Sequence, residues 1–255
     1  MKVLKIYSVL IIIISLSFSS QAQEEFGLRF KVNHRDDSGV GYNFFLGDNA
    51  DDFKTTIMGF GSGFLFDVLT SRQSLDLIQL GTGSFNLSLG GGLAINKYRF
   101  SDNLVLFKSQ DDNMVHYQID PDENHDYVNT FFGYGKSKLV TASLFIPLNI
   151  NFDIAEKFTF SAGGFVDFYV YGKHKRKFLM DGEKMKEMIK PAEFRDYNLN
   201  KTKYGVSASF IHKKSGIGIS GAYYLTPFFQ DGMGPDLNEA RISLVIGTDP
   251  KKVKK

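Results

Sequence analysis

From Val140 to Phe152 every even-numbered residue is apolar: Val140, Ala142, Leu144, Ile146, Leu148, Ile150 and Phe152. The residues between them, Thr141, Ser143, Phe145, Pro147, Asn149 and Asn151, are mostly small or polar and never charged. Side chains alternate across a strand, so this run has one apolar and one mildly polar face. It is longer than an ordinary globular strand and suits a tilted crossing of a bilayer. A soluble barrel would be expected to place Lys or Glu mid-strand on its wet face. The absence of such charge predicts a lipid-facing strand over a narrow polar interior.

The same period recurs in seven further segments. Phe26–His34 alternates Phe26, Leu28, Phe30 and Val32 against Arg29, Lys31 and Asn33. Thr56–Val68 has Met58, Phe60, Phe64, Phe66 and Val68 in phase. Phe85–Tyr98 has Phe85, Leu87, Leu89, Leu93 and Ile95, with Leu75 and Leu77 in the same phase before it. Phe158–Tyr171, Tyr204–His212, Ile217–Leu225 and Ala240–Ile246 complete the set. Short turns at 154–157 and 213–216 alternate with long polar stretches at 35–55, 99–138, 172–203 and 226–239. Only the connection at 69–84 is longer than its side of the barrel would require. Short periplasmic turns and long external loops are the pattern of outer-membrane barrels.

The expected fold is therefore all-β: a transmembrane antiparallel up-and-down β-barrel of eight strands with long external loops. Val40–Leu46 and Leu104–Ile119 read as hairpin extensions above the membrane, and counting them would give ten strands. Glycines inside the strands, such as Gly163 and Gly164, suit sharply curved walls.

The first residues change where this fold is expected to reside. Lys2 and Lys5 precede an apolar stretch from Val9 to Leu16, and Ser19-Ser20-Gln21-Ala22 supplies small residues for cleavage. Residues 1–22 are expected to be a signal peptide and 23–255 the barrel domain. The apolar stretch is too short for a spanning helix. With no cysteine, a lipid-anchored lipoprotein, disulfides and thiolate metal sites are excluded. The 30 Lys and Arg against 28 Asp and Glu balance once Lys2 and Lys5 are removed, so a nucleic-acid partner has no electrostatic support. Mean hydropathy of −0.15 argues against a helical membrane protein but not against a barrel. Phe (25) and Tyr (12) supply material for interfacial girdles.

Gly135-Lys136-Ser137-Lys138-Leu139, the central Ile146-Pro147-Leu148, Tyr204-Gly205 and the run Tyr223-Tyr224-Leu225-Thr226-Pro227-Phe228-Phe229 form a further pattern. Together with the following Gly-Pro loop and closing strand, they resemble the PorT-like outer-membrane β-barrel family. The likeness covers essentially the whole mature chain and is strongest after Lys136. Its motifs are structural and carry no catalytic residue to transfer. The resemblance implies an eight-stranded-type barrel in the outer membrane and, for PorT itself, association with a protein-secretion apparatus, the wider family being mostly of unassigned role. The chain departs from the usual pattern in ending on a basic tail, Asp249–Lys255, rather than a terminal aromatic.

An eight-stranded barrel is filled by its own side chains, so charges inside it need counter-charges. Arg29, Lys31, Asp67, Asp153, Asp167 and Arg241 fall on inward positions. Arg29 and Arg241 are expected to be neighbours on the closing strands, with Asp67 or Asp167 opposing them. A structural plug is the main expectation; a small-solute path or proton relay is the alternative. Asp120, Asp122, Asn124 and Asp126 have the alternate-oxygen spacing of a calcium loop, but His125 and Phe131 occupy positions where an EF-hand needs Gly and Glu. A solvated acidic loop is the expected reading, and no metal or cofactor is assigned. Lys173, Lys175, Arg176 and Lys177 top the fifth strand, where they would meet lipopolysaccharide phosphates or simply solvent. Met185, Met188 and Ile189 have helical spacing and predict one or two helical turns over 183–190.

No G-x-S-x-G elbow is present, and the five histidines have no metal-ligand spacing. The expectation is a non-enzymatic integral outer-membrane protein serving envelope structure, loop-mediated binding or secretion. Its partners would be outer-membrane lipid and lipopolysaccharide, and secretion-machinery proteins in the PorT reading. The alternatives are a lipid-modifying or proteolytic outer-membrane enzyme and a soluble lipocalin-like periplasmic barrel with its apolar faces inward.

Overall fold

A computed structural model describes residues 34–53, 68–80, 85–100, 104–119, 125–126, 136–154, 157–180, 183–189 and 197–247. The elements in chain order are β1 (His34–Leu46), β2 (Val68–Leu80), β3 (Phe85–Phe100), β4 (Leu104–Lys108), β5 (Val115–Ile119) and β6 (His125–Asp126). They continue as β7 (Lys136–Ile154), β8 (Phe158–Met180), β9 (Glu183–Ile189), β10 (Thr202–His212), β11 (Ile217–Tyr224) and β12 (Asn238–Gly247). The sheet runs β10-β11-β12-β1-β2-β3-β7-β8, and β8 pairs back onto β10. Eight antiparallel strands thus close a ring. The closing ladders are long, from Asp37↔Gly247 to Leu46↔Asn238 and from Phe158↔His212 to Phe168↔Thr202.

Alternation decides the faces. On β7, Leu144, Ile146, Leu148, Ile150 and Phe152 are 38–48% exposed, while Ser143, Phe145, Asn149 and Asn151 are buried. Val166, Phe168, Val206, Ile219, Ile242, Leu244 and Ile246 extend the outward apolar belt around the ring. A soluble lipocalin-like barrel needs these side chains inward, so that alternative is overturned. The run Ala142 to Phe152, at about 3.3 Å per residue and a tilt of about 40°, spans about 25 Å, the height of a barrel's lipid band. Phenylalanines gather at its lower edge. The Phe85 and Phe152 rings lie 4.9 Å apart, and Phe158 and Phe210 stack at 4.8 Å.

Two expectations about strand limits change, and two others fall almost wholly outside the described residues. The proposed strands 26–34 and 56–68 lie outside the described residues except for His34 and Val68, where β1 and β2 begin. Val40–Leu46 is not a hairpin extension but wall, fully paired to β12. The inward positions of β1 here are Gly39, Gly41, Asn43 and Phe45, so only Val40, Tyr42, Phe44 and Leu46 carry the apolar alternation. Gly41 is required there, because a Cβ would stand 2.1 Å from the Ile242 carbonyl oxygen. Most of the supposed long connection at 69–84 is β2, whose Leu75 pairs with Leu89 of β3.

The predicted helical turns over 183–190 are instead strand β9, hydrogen-bonded to the upper part of β8 from Met180↔Glu183 to His174↔Ile189. Cross-strand pairing overrides the helical spacing and puts Met185 and Met188 on opposite faces. In contrast, the hairpin of β4 and β5 stands apart from the ring, as expected of an extension.

Ile146→Arg is expected to weaken membrane assembly by about 2–4 kcal/mol near the midplane, whereas Asn149→Ala, on the lumen face, should cost far less. Denaturant titration in lipid vesicles measures both; equal costs would contradict the assigned faces.

Candidate functional site

The interior is built in tiers. At the lower end Asn151 Nδ2 donates to Asn86 Oδ1 (2.6 Å) and to Ser88 Oγ (2.9 Å), joining β3 and β7. Asp153 pairs with Lys213 of the β10–β11 turn at 2.6 Å and accepts from Thr159. Above this lies a cavity of about 70 Å³, lined by Thr70, Ser207, Ser209, Ser220, Arg241 and Ser243 among others. That is room for a few water molecules, not a conduit.

A charged tier caps the cavity. Lys203 Nζ donates to Glu239 Oε2 at 2.7 Å, with both side chains buried. Tyr224 Oη donates to Asp167 Oδ2 at 2.7 Å. Lys203 is the direct cross-strand partner of Asp167, and its ammonium stands 4.3 Å from the Tyr224 ring centroid. The Arg241 guanidinium lies 5.9 Å from the same ring. Two acids and two bases therefore share one buried layer, which meets the requirement that lumen charges be compensated. Asp167 and Arg241 both belong to this layer. Arg29, Lys31 and Asp67 lie outside the described residues.

Sequence pattern alone does not single out Lys203 and Glu239, because each falls at the end of a long polar stretch. Their parity was legible: Lys203 is in phase with inward Gly205, and Glu239 with Arg241 and Ser243.

An apolar plug seals the top. Phe45, Phe53, Tyr98, Leu139, Phe228 and Leu237 are among its buried members. Phe45 stacks on Tyr98 at 5.0 Å, and Phe228 meets both edge-on at 5.1 and 5.3 Å. This plug is the underside of a crown made from all four external connections.

The connections are cross-linked. Tyr197 Oη donates to the Leu106 carbonyl (3.0 Å), and Val115 N to that of Met233 (2.9 Å). Asn200 Nδ2 donates to the Pro227 and Phe229 carbonyls, and Asp236 N to Asn49 Oδ1. Tyr117 Oη donates to Asp52 at 2.6 Å, and this bond chiefly raises the phenol's pKa. Asn198 and Asn113, both with left-handed φ, meet through Asn198 Nδ2 and the Asn113 carbonyl. At the crown's tip the Met114 N–H and then His116 hold Asp112 below the usual carboxylate range.

Of the acidic loop, residues 120–124 lie outside the described residues, and Asp126 stands in β6 beside Leu179. The described residues contain no group of side chains arranged to hold a metal. Ser137 Oγ and His174 Nε2 are 3.2 Å apart, but both are 1% exposed beneath the crown, so no substrate reaches them. His212 and Ser215 bond within one tight turn.

The basic run divides between faces. A bulge on β8 pairs Tyr169 and Tyr171 with successive residues of β7 and leaves Val170 out of the ladder. Inward parity passes from odd to even numbers, so His174 is buried while Lys173, Lys175 and Lys177 face outward. Arg176 therefore leaves the proposed lipopolysaccharide-contact group. It bonds to Glu187 at 2.9 Å on the other face and lies 5.4 Å from the Phe178 ring centroid.

A closed eight-strand ring, apolar outside and sealed inside, defines a transmembrane β-barrel of outer-membrane type. No family model matches the chain, and no curated protein matches it significantly. Among solved structures, the attachment invasion locus protein Ail of Yersinia pestis is 10% identical, covering 85% of this chain and 97% of that one, with a TM-score of 0.33. Ail in complex with the heparin analogue sucrose octasulfate gives 0.34 at the same identity and coverage. A triple-mutant porin of Rhodopseudomonas blastica is 10% identical over 85% and 100% of the two chains, with a TM-score of 0.17. The architecture rests on the strand pairing above rather than on these overlaps.

Lys203→Met should destabilise the barrel by about 3–5 kcal/mol by leaving Glu239 buried and unpaired, and Lys203→Met with Glu239→Leu should recover much of that. Unfolding midpoints in detergent read both. His174, above the lipid band, is pushed down to about 4 by burial and then by Arg176. Unfolded histidine binds a proton near pH 6.5, so the stability His174 contributes is complete above that value and lost as pH falls towards 4. Hydrogen exchange of the β8–β9 hairpin should quicken across that window, and more weakly in His174→Leu.

Proposed function

We propose that this chain is a non-conducting outer-membrane barrel of PorT-like type that works through its crown, as an envelope docking scaffold associated with secretion. One observation supports this most: the four external connections are bonded into a single body whose apolar underside closes the lumen. Loops held this way present a fixed surface. A rigid barrel wall supplies the footing, and the membrane supplies orientation. The buried charge layer adds a second closure, so passage of solute is not its role. Of the two Ser–His contacts among the described residues, Ser137–His174 is buried and His212–Ser215 is a local contact within one turn, which gives an enzymatic role little support.

Two measurements test this reading. In planar bilayers the purified protein should show no stepwise conductance; stable open steps would sink the non-conducting assignment. A deletion strain should fail to export its cargo proteins, and complementation with Asn200→Ala/Tyr197→Phe, which loosens the crown, should restore export only in part. Full export without the protein would remove the secretion role, and a changed lipid A mass spectrum would favour the enzyme.

A further inference from the structure

The wall above the lipid band differs from one side of the barrel to the other. Register gives the rows on β3, β7, β8 and β9, because paired residues share a face. The row Ile95–Ala142–Tyr171 is the top of the apolar belt, with Tyr171 40% exposed. Directly above it runs Lys97–Val140–Lys173. Next comes Lys138 opposite Lys175, and higher still Lys177 opposite Lys186.

In the rows from Lys97 up to Lys177 the charged residues are all basic, and Asp126 of β6 pairs with Leu179 one row higher. Like charges directly opposite each other destabilise a sheet, and here two such pairs stand one above the other. Desolvation first, then Lys177, Lys186 and Lys173, lowers the Lys175 pKa, as expected of crowded cations. Carboxylates gather at the crown's top in Asp48, Asp51, Asp111, Asp112 and Asp236, while Glu183 and Glu187 of β9 fall on the hairpin's other face, Glu187 paired with Arg176. On the opposite side, the upper ends of β10, β11, β12 and β1 turn Tyr204, Phe44 and Leu46 outward, with no Lys or Arg on that face among the described residues.

We propose that this lysine face binds the phosphate groups of a phosphorylated glycolipid in the outer leaflet. Height selects a lipid headgroup: the rows begin where the apolar belt and its tyrosine end, and cations at that level meet an anionic interface. Spacing selects phosphate. Cross-strand Cβ atoms stand about 5 Å apart and successive rows about 7 Å, so one phosphate can bridge two neighbouring lysines. Lysine ammoniums bind phosphate as point charges, with three donors each. The consequence is a barrel with one preferred lipid side, which fixes its rotation against neighbouring membrane components.

The proposal rests on the transmembrane reading, and the test separates the two. Full-length protein in detergent is titrated with bisphosphorylated lipid A, with the same lipid dephosphorylated, and with a soluble sulfated glycan, bound species being counted by native mass spectrometry. Lys138→Gln/Lys173→Gln/Lys175→Gln should bind bisphosphorylated lipid A about a hundredfold more weakly, at about fivefold per lysine near an anionic surface. Lys157→Gln, at the opposite end, should not change it. The wild type should show a similar loss with dephosphorylated lipid A, a comparison needing no variant. Heat-shifted gel mobility shows whether each barrel is intact. Unchanged binding by an intact triple variant, equal binding of the dephosphorylated lipid, or lysine-dependent binding of the soluble glycan alone would overturn the proposal. Loss of the heat-shifted form in the wild type would overturn the barrel itself.

Discussion

In a bilayer, backbone N–H and C=O groups have no water to fall back on, so every wall strand must be paired on both sides. The β1–β12 and β8–β10 ladders meet that demand by joining the two ends of the sheet. Other features follow from the closure. Eight strands fix a narrow bore, which forces inward residues to be small or to interlock. Serines, glycines and asparagines fill the lower lumen, and Phe165 lies over Gly205, where a Cβ would meet both its ring and the Tyr223 carbonyl.

The narrow bore also explains the stacking of closures. Charged residues inside it cannot reach solvent, so Lys203, Glu239, Asp167 and Arg241 occupy one layer and answer one another. Aromatic rings from three wall strands and the loops complete the seal, and the loops' hydrogen bonds tie that seal to the outer surface. Lumen and crown are one construction. A surface feature at the top is therefore held by packing that reaches into the barrel, a stiffness isolated loops would lack.

Charge is segregated in the same structure. Acids collect at the crown's tip and bases on one flank above the lipid band, although the formal net charge of the whole chain is only +2. The β8 bulge makes this separation: by shifting parity, it sends His174 and Arg176 inward and three lysines out.

Alternation along the chain is enough to establish the class of fold and the outward face of β7, β8, β10, β11 and β12. These are properties of residues two apart, written locally by the pleat. Tertiary structure decided what local period cannot express: that the glycine-rich stretch 34–46 is wall, that 183–189 pairs as a strand, and that Lys203 meets Glu239 across 36 residues. Each depends on register between strands distant in sequence, and register is set by ring closure and by a bulge, which no single strand encodes.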